Sequence, residues 1–158
     1  MIPNIKEIIT DIISQSKEIE IIIDKYDNDS NLYQNSVINR EDSIQLSTML
    51  FYLSPGLGLI KASVEELIND RKREKSKIMR QLMHQTDDAT DKKFTASAAE
   101  HEARSQLLDI DKKIASFDAT LRYGTAIMFA TKDIIFQLNE CRKSLSNEIR
   151  MTGGSYDD

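Results

Sequence analysis

The chain has 158 residues, 40% of them hydrophobic and 30% charged, with no Trp, five Gly, two Pro and one Cys. That balance fits one soluble unit, rich in helix formers and poor in breakers, and the lone Cys141 excludes an intrachain disulfide. The net charge of −5 argues against indiscriminate nucleic-acid binding.

The N-terminus has no basic segment leading into a continuous apolar run, so no signal peptide is expected and the thiol suits a reducing cytoplasm. Pro3 is well placed at a helix start. Ile5, Ile8, Ile9, Ile12 and Ile13, then Ile19, Ile22, Ile23 and Tyr26, recur at helical spacing and predict an amphipathic helix ending near Asp24–Tyr26. Asp27-Asn28-Asp29-Ser30-Asn31 is turn chemistry and opens a soft region reaching about residue 40. Ile44, Leu46, Met49, Leu50 and Leu53 predict a short helix from about Asp42, which Ser54-Pro55-Gly56 should bend or break. The stretch Ser43–Ile60 carries no charge over 18 residues, but its Ser, Thr, Gln, Pro and Gly content favours a buried soluble helix and a bend over a membrane span.

A longer helix is predicted from Leu57 to His84, with Leu57, Ile60, Val64, Leu67 and Ile68 as its stripe, resuming at Ile78, Met79, Leu82 and Met83. Residues 86–93 form a polar connection, and Ser97 with Glu100 has capping-box spacing. From Leu107 to Ile149 the chain holds a heptad register through Leu107, Ile110, Ile114, Phe117, Leu121, Gly124, Met128, Thr131, Ile135, Leu138, Arg142, Leu145 and Ile149. A stripe of period 3.5 must be buried against another helix and favours supercoiling, over a length of roughly 65 Å. Gly153-Gly154 stops this helix ahead of a tail.

These readings predict an all-α fold: a long antiparallel helical hairpin or coiled coil with an additional N-terminal amphipathic helix, oligomerising. The organisation expected is residues 1–40 for the first helix and polar loop, 41–152 for the hairpin core and 153–158 for a flexible tail. The 105–150 arm exceeds the 57–84 arm by several turns, so part of its stripe lacks an intrachain partner. Ile114, Phe117, Leu121, Met128, Ile135, Leu138, Leu145 and Ile149 are therefore the candidate oligomerisation residues.

Charge is unevenly spread. Residues 1–70 hold five basic and twelve acidic side chains, residues 81–158 hold ten and thirteen, and residues 71–80 hold six and one. Arg71, Lys72, Arg73, Lys75, Lys77 and Arg80 are the candidate nucleic-acid-binding set, with Arg73, Lys77 and Arg80 on one helical face. Such a cluster can neutralise several phosphates of a flexible strand and release their counterions, a salt-sensitive and sequence-independent affinity. The bland alternative is a solvated face neutralised by acidic neighbours. Nearby aromatics for base stacking are few.

Nothing catalytic is expected. His84, His101 and Cys141 match no zinc spacing, and Asp27–Asn31 departs from a calcium loop at Leu32 and Ile38. Gly56 and Gly58 are not followed by a Gly-Lys-Ser/Thr element, and no Ser/His/Asp or Cys/His set has a recognisable context. No metal and no cofactor is predicted.

One local pattern carries a resemblance. Asp111-Lys112-Lys113-Ile114-Ala115-Ser116-Phe117-Asp118-Ala119-Thr120-Leu121-Arg122-Tyr123 reads as D-K-x-[VI]-x-x-x-D-x-[ST]-L-[QR]-Y. It resembles the C-terminal helix of the phage recombination mediator proteins of the UvsY type. The order of parts over about residues 45–150 is similar too: basic helix, polar loop, this pattern, then a helical tail ending in basic residues. The chain departs from the family at Gly124, where a second aromatic is usual, and at Arg142-Lys143-Ser144, where Arg-Gly-Phe is usual; the first 40 residues have no counterpart. The resemblance implies a non-enzymatic, oligomeric protein of the host cytoplasm that binds single-stranded DNA. It implies, too, that the protein helps load a recombinase onto DNA coated with single-strand-binding protein, with the 71–80 segment as the DNA contact. The rival expectation is a coiled-coil scaffold, assembly protein or host-factor-binding protein without nucleic-acid binding.

Overall fold

A computed structural model describes residues 4–84, 86–87 and 92–153. Among them, in chain order, are α1 (Ile5–Asn28), a 3-10 turn (Ser30–Gln34), α2 (Ser36–His84), β1 (Thr86–Asp87), β2 (Lys92–Lys93), α3 (Ala96–Gln106) and α4 (Leu108–Gly153). The all-α class predicted from composition holds. The strands make only a two-residue antiparallel ladder, Thr86 opposite Lys93 and Asp87 opposite Lys92. Pro3, the middle of the polar connection at 88–91 and the tail from Gly154 on lie outside the described residues.

Short polar side chains start the elements, as unsatisfied helix N–H groups require. Asn4 Oδ1 accepts from the Lys6 N–H, Asp29 Oδ1 from the Asn31 N–H and Thr95 Oγ1 from the Ala98 N–H. Asn35 Oδ1 accepts from both Val37 and Ile38, so α2 begins some six residues before the predicted start. The expected Ser97–Glu100 box is not the cap of α3; Thr95 is. Helix α3 ends at Leu107, its C-cap, whose side chain is buried.

The predicted break at Ser54-Pro55-Gly56 is absent: α2 runs unbroken for 49 residues with Pro55 inside it. Proline withholds an N–H from the carbonyl of Phe51 and crowds it. Pro55 faces solvent, where water can satisfy that carbonyl, and the turn on either side is held by buried Leu53 and Leu57. Continuity corrects a second expectation, because α2 now has 49 residues against 46 for α4 and the predicted surplus of the second arm disappears.

The chain divides into two compact units, Met1–Gly58 with Thr120–Asp158, and Leu59–Ala119. In the first, α1, the start of α2 and most of α4 lie side by side. Leu57 meets Gly124, the Ser54 hydroxyl lies 3.9 Å from Met128 Sδ, and the Tyr33 hydroxyl donates to Gln137 at 3.1 Å. Numbers fall along α2 as they rise along α4, so these helices are antiparallel. Helix α1 is likewise antiparallel to α2, with Ile12 beside Gly56 and Tyr26 beside Asp42.

The tightest approach is at Gly124. A methyl group there would stand 2.6 Å from Leu57 Cδ2 and 3.2 Å from Ile12 Cγ2, so glycine is the residue that lets three helices close together. The heptad register is right at Gly124, Thr131 and Leu138, all buried. It is one residue off at the alternate position, where Thr120, Ile127 and Ile134 are buried and Leu121, Met128 and Ile135 are half-buried. A helix that faces two neighbours buries a wider stripe than a two-stranded seam. Thr131, which interrupts the apolar series, satisfies its buried hydroxyl by donating to the Ile127 carbonyl at 2.6 Å.

A buried polar cluster ties α1 to the start of α2. The Tyr26 hydroxyl donates to Asp42 at 2.6 Å, Lys25 Nζ reaches the same carboxylate at 2.8 Å, and Asn39 Nδ2 donates to the Tyr33 carbonyl at 2.7 Å. Burial first, then Asp42, raises the Tyr26 phenol far above its ordinary range. In the second unit the core is Ile60, Val64, Leu82, Ala99 and Ala103 of α3, and Leu107 at its C-cap.

Two stability outcomes follow. Gly124→Val overpacks the contact with Ile12 and Leu57 and lowers unfolding free energy by on the order of 1–3 kcal/mol. Pro55→Ala restores the N–H to Phe51 and raises it by on the order of 1–3 kcal/mol. Urea melts followed by circular dichroism check both; an unchanged midpoint in either variant contradicts the corresponding packing.

Candidate nucleic-acid interface

The basic segment lies on α2 within the second unit, and its six cations separate into two groups. Arg71 and Lys75 turn toward the neighbouring helices. The Arg71 guanidinium forks onto Asp111 of α4, with Nε on one oxygen and Nη2 2.9 Å from the other. Lys75 Nζ lies 2.8 Å from Glu100 of α3, a carboxylate that also accepts from Arg104 at 3.0 Å. These two residues are partly buried, so the segment is stitched to its own unit through them.

Lys72, Arg73, Lys77 and Arg80 are exposed. Arg73 has Asp70 at 3.5 Å and Lys77 has Glu74 at 2.6 Å, both one turn away along the same helix. Pairs of this kind between solvated side chains hold their charges only loosely. Lys72, Ser76 and Arg80 make one row along the helix, and Arg73 with Lys77 makes the next. The surface presents cations over somewhat more than two turns and spends the remaining two on internal ion pairs.

Beside the paired cations is an open groove of about 590 Å³, lined by Arg71, Lys75, His101, Arg104, Ser105, Leu108 and Asp111. Phe94 and Phe117 are half-buried, so among the described residues this unit offers no exposed Phe, Tyr or Trp ring on which a base could stack. What the arrangement can do is contact phosphates.

A second basic surface, not singled out from the sequence as a site, lies near the end of α4, where Arg142, Lys143, Ser146, Asn147 and Arg150 line a shallow depression of about 470 Å³. Its signal was available as the four-residue spacing of 142, 146 and 150. Lys143 pairs with Glu140 at 2.6 Å.

The candidate oligomerisation residues are placed unevenly. Leu138 is buried inside its own unit, Ile114, Phe117, Leu121, Met128, Ile135 and Leu145 are half-buried, and Ile149 is 70% exposed. Of the residues carrying the resemblance, Asp111 holds Arg71, and the Tyr123 phenol is raised by burial and by a hydrogen bond with Glu20 of α1. His84 and His101 are both exposed, and Cys141 is half-buried.

The hydrogen bond from Arg71 holds the Asp111 carboxyl below its ordinary range, and Lys75, then Arg104, do the same for Glu100. Both shifts are downward. The stability they contribute is therefore present above the unfolded values, at about 4, and is lost as pH falls through the folded values. A carboxyl-carbon NMR titration should find Asp111 and Glu100 each titrating below the ordinary range of its own residue type, and Arg71→Gln should return Asp111 to that range. An Asp111 that titrates alike with and without Arg71 contradicts the fork.

Comparison of the chain with protein-family models, curated proteins and solved structures found no match.

Proposed function

We propose that the protein is a non-enzymatic recombination mediator: a homo-oligomer that binds single-stranded DNA and helps load a recombinase onto DNA coated with single-strand-binding protein. The observation that carries the DNA-binding part is the outward set Lys72, Arg73, Lys77 and Arg80, four exposed cations on one side of α2 in an otherwise acidic chain. The loading role comes from the resemblance at residues 111–123. Pairing of α4 with further copies as a coiled coil is part of this proposal, supported by the apolar side chains it leaves exposed, Phe129, Phe136, Ile149 and Met151. Repetition of a four-cation surface around an oligomer would convert weak single contacts into useful avidity.

A second reading has its own observation. Arg71–Asp111, Lys75–Glu100, Arg73–Asp70 and Lys77–Glu74 answer four of the six cations within the chain, as in a scaffold that needs no nucleic acid.

One titration separates the two. Fluorescence anisotropy with a labelled oligonucleotide, at several salt concentrations, should show binding whose log–log salt slope becomes shallower by ~2 when Arg73, Lys77 and Arg80 are changed together to Ala. Absence of binding at micromolar protein and low salt, or a slope unmoved by the triple change, favours the scaffold.

A further inference from the structure

Helix α2 carries a second face that its own unit does not cover. Between Ser43 and Gly58 the buried positions are Ser43, Leu46, Leu53 and Leu57, while Ile44, Phe51 and Tyr52 point out. With Val37 at the start of the helix, these side chains are 64% (Val37), 58% (Ile44), 73% (Phe51) and 63% (Tyr52) exposed. No charged residue occurs from Ser43 to Gly58. Two hydroxyls on this face, those of Ser47 and Thr48, are also spent: Ser47 donates to the Ser43 carbonyl at 2.7 Å and Thr48 to the Ile44 carbonyl at 2.9 Å. Polar groups bonded to their own helix can leave water at little cost.

The face has relief as well as polarity. Phe51 and Tyr52 stand edge to face, with ring centroids 5.6 Å apart, and form a projecting pair. Immediately N-terminal to them is a shallow groove of about 390 Å³ bounded by Ser43, Ile44, Ser47, Thr48, Phe51 and Tyr52. Knob and groove therefore lie one turn apart on one side of one helix. In a parallel pair of copies knob would meet knob. In an antiparallel pair related by a two-fold axis between Thr48 and Phe51, each Phe51 ring enters the groove of the other copy, which is the self-complementarity an isologous contact demands.

Val37, Ile44, Phe51 and Tyr52 alone offer about 500 Å² per copy, so their complete burial in a pair would cover ~1,000 Å², the floor for a specific contact. Apolar surface of this size matches the largest patch on a typical monomer, and such patches are often functional.

We propose that this face is a homodimer interface, formed by antiparallel pairing of two α2 helices with Phe51 of each copy seated against Ser47 and Thr48 of the other. The interface is distinct from the α4 surface invoked above, and it is tested without oligonucleotide, so its failure leaves the DNA-binding reading untouched.

Sedimentation equilibrium of the full chain in detergent-free buffer should show self-association that Phe51→Glu and Thr48→Lys each weaken at least tenfold, with helix content unchanged by circular dichroism. An equimolar mixture of the two single variants should then recover association, because the introduced charges meet across the axis in a heterodimer. Three results overturn the proposal: a chain monomeric at tens of micromolar, association indifferent to Phe51→Glu, or single variants whose mixture stays as weak as either alone. The α2 stretch is long and apolar enough by length and composition to cross a membrane. Flotation with zwitterionic lipid vesicles that Phe51→Glu abolishes, in a chain that does not self-associate, would assign the face to lipid and equally refute the pairing.

Discussion

Three helices cannot share a line of contact unless one of them surrenders its side chain there, and α4 does so at Gly124. Ile12 of α1 and Leu57 of α2 both press on the bare backbone at that point. From it the rest of the first unit follows. Helix α4 is fixed between two neighbours rather than one, its buried stripe widens to take in Thr120, Ile127 and Ile134, and the Ile-rich face of α1 finds its cover within the same chain. Close approach also explains why a single atom matters: interiors at crystal-like density have no slack for an extra methyl beside a buried leucine.

Charge does in the second unit what close packing does in the first. Its core is modest, and its helices are also joined through Arg71–Asp111 and Lys75–Glu100. Each pair is partly open to solvent, where such bonds orient helices more than they stabilise them. The same arrangement sets the character of the basic segment. Two of its cations are structural, four are offered to the surroundings, and the boundary between the groups is the helical period itself.

Much of this was legible in residue order and some was not. Helix content followed from sparse breakers, and the burial of Gly124, Thr131 and Leu138 from their seven-residue spacing. The alternate seam position was missed because periodicity counts apolar residues and cannot know how many helices will face them. Thr120 is buried and Met128 is not fully so, against their hydropathy. Pro55 looks like a breaker in sequence because the local penalty is visible there, while the exposure of its turn and the anchoring by Leu53 and Leu57 are tertiary. In the basic segment the cluster itself was plain. Which members turn inward depends on carboxylates 25 and 40 residues away, Glu100 and Asp111, and no local pattern announces those two.

The cluster of Lys25, Tyr26 and Asp42 constrains how the first helix can behave. Asp42 retains only 11% of its side-chain exposure, and it is Lys25 and Tyr26 of α1 that answer it. Peeling α1 away would strand this part-buried carboxylate without its Lys25 and Tyr26 partners before water could fully reclaim it, a cost of several kcal/mol at the moment of opening. Trading this arm with another molecule therefore requires passing through that stranded state, so the arm should behave as a latch: slow to exchange, and released together with the opening turns of α2 rather than alone.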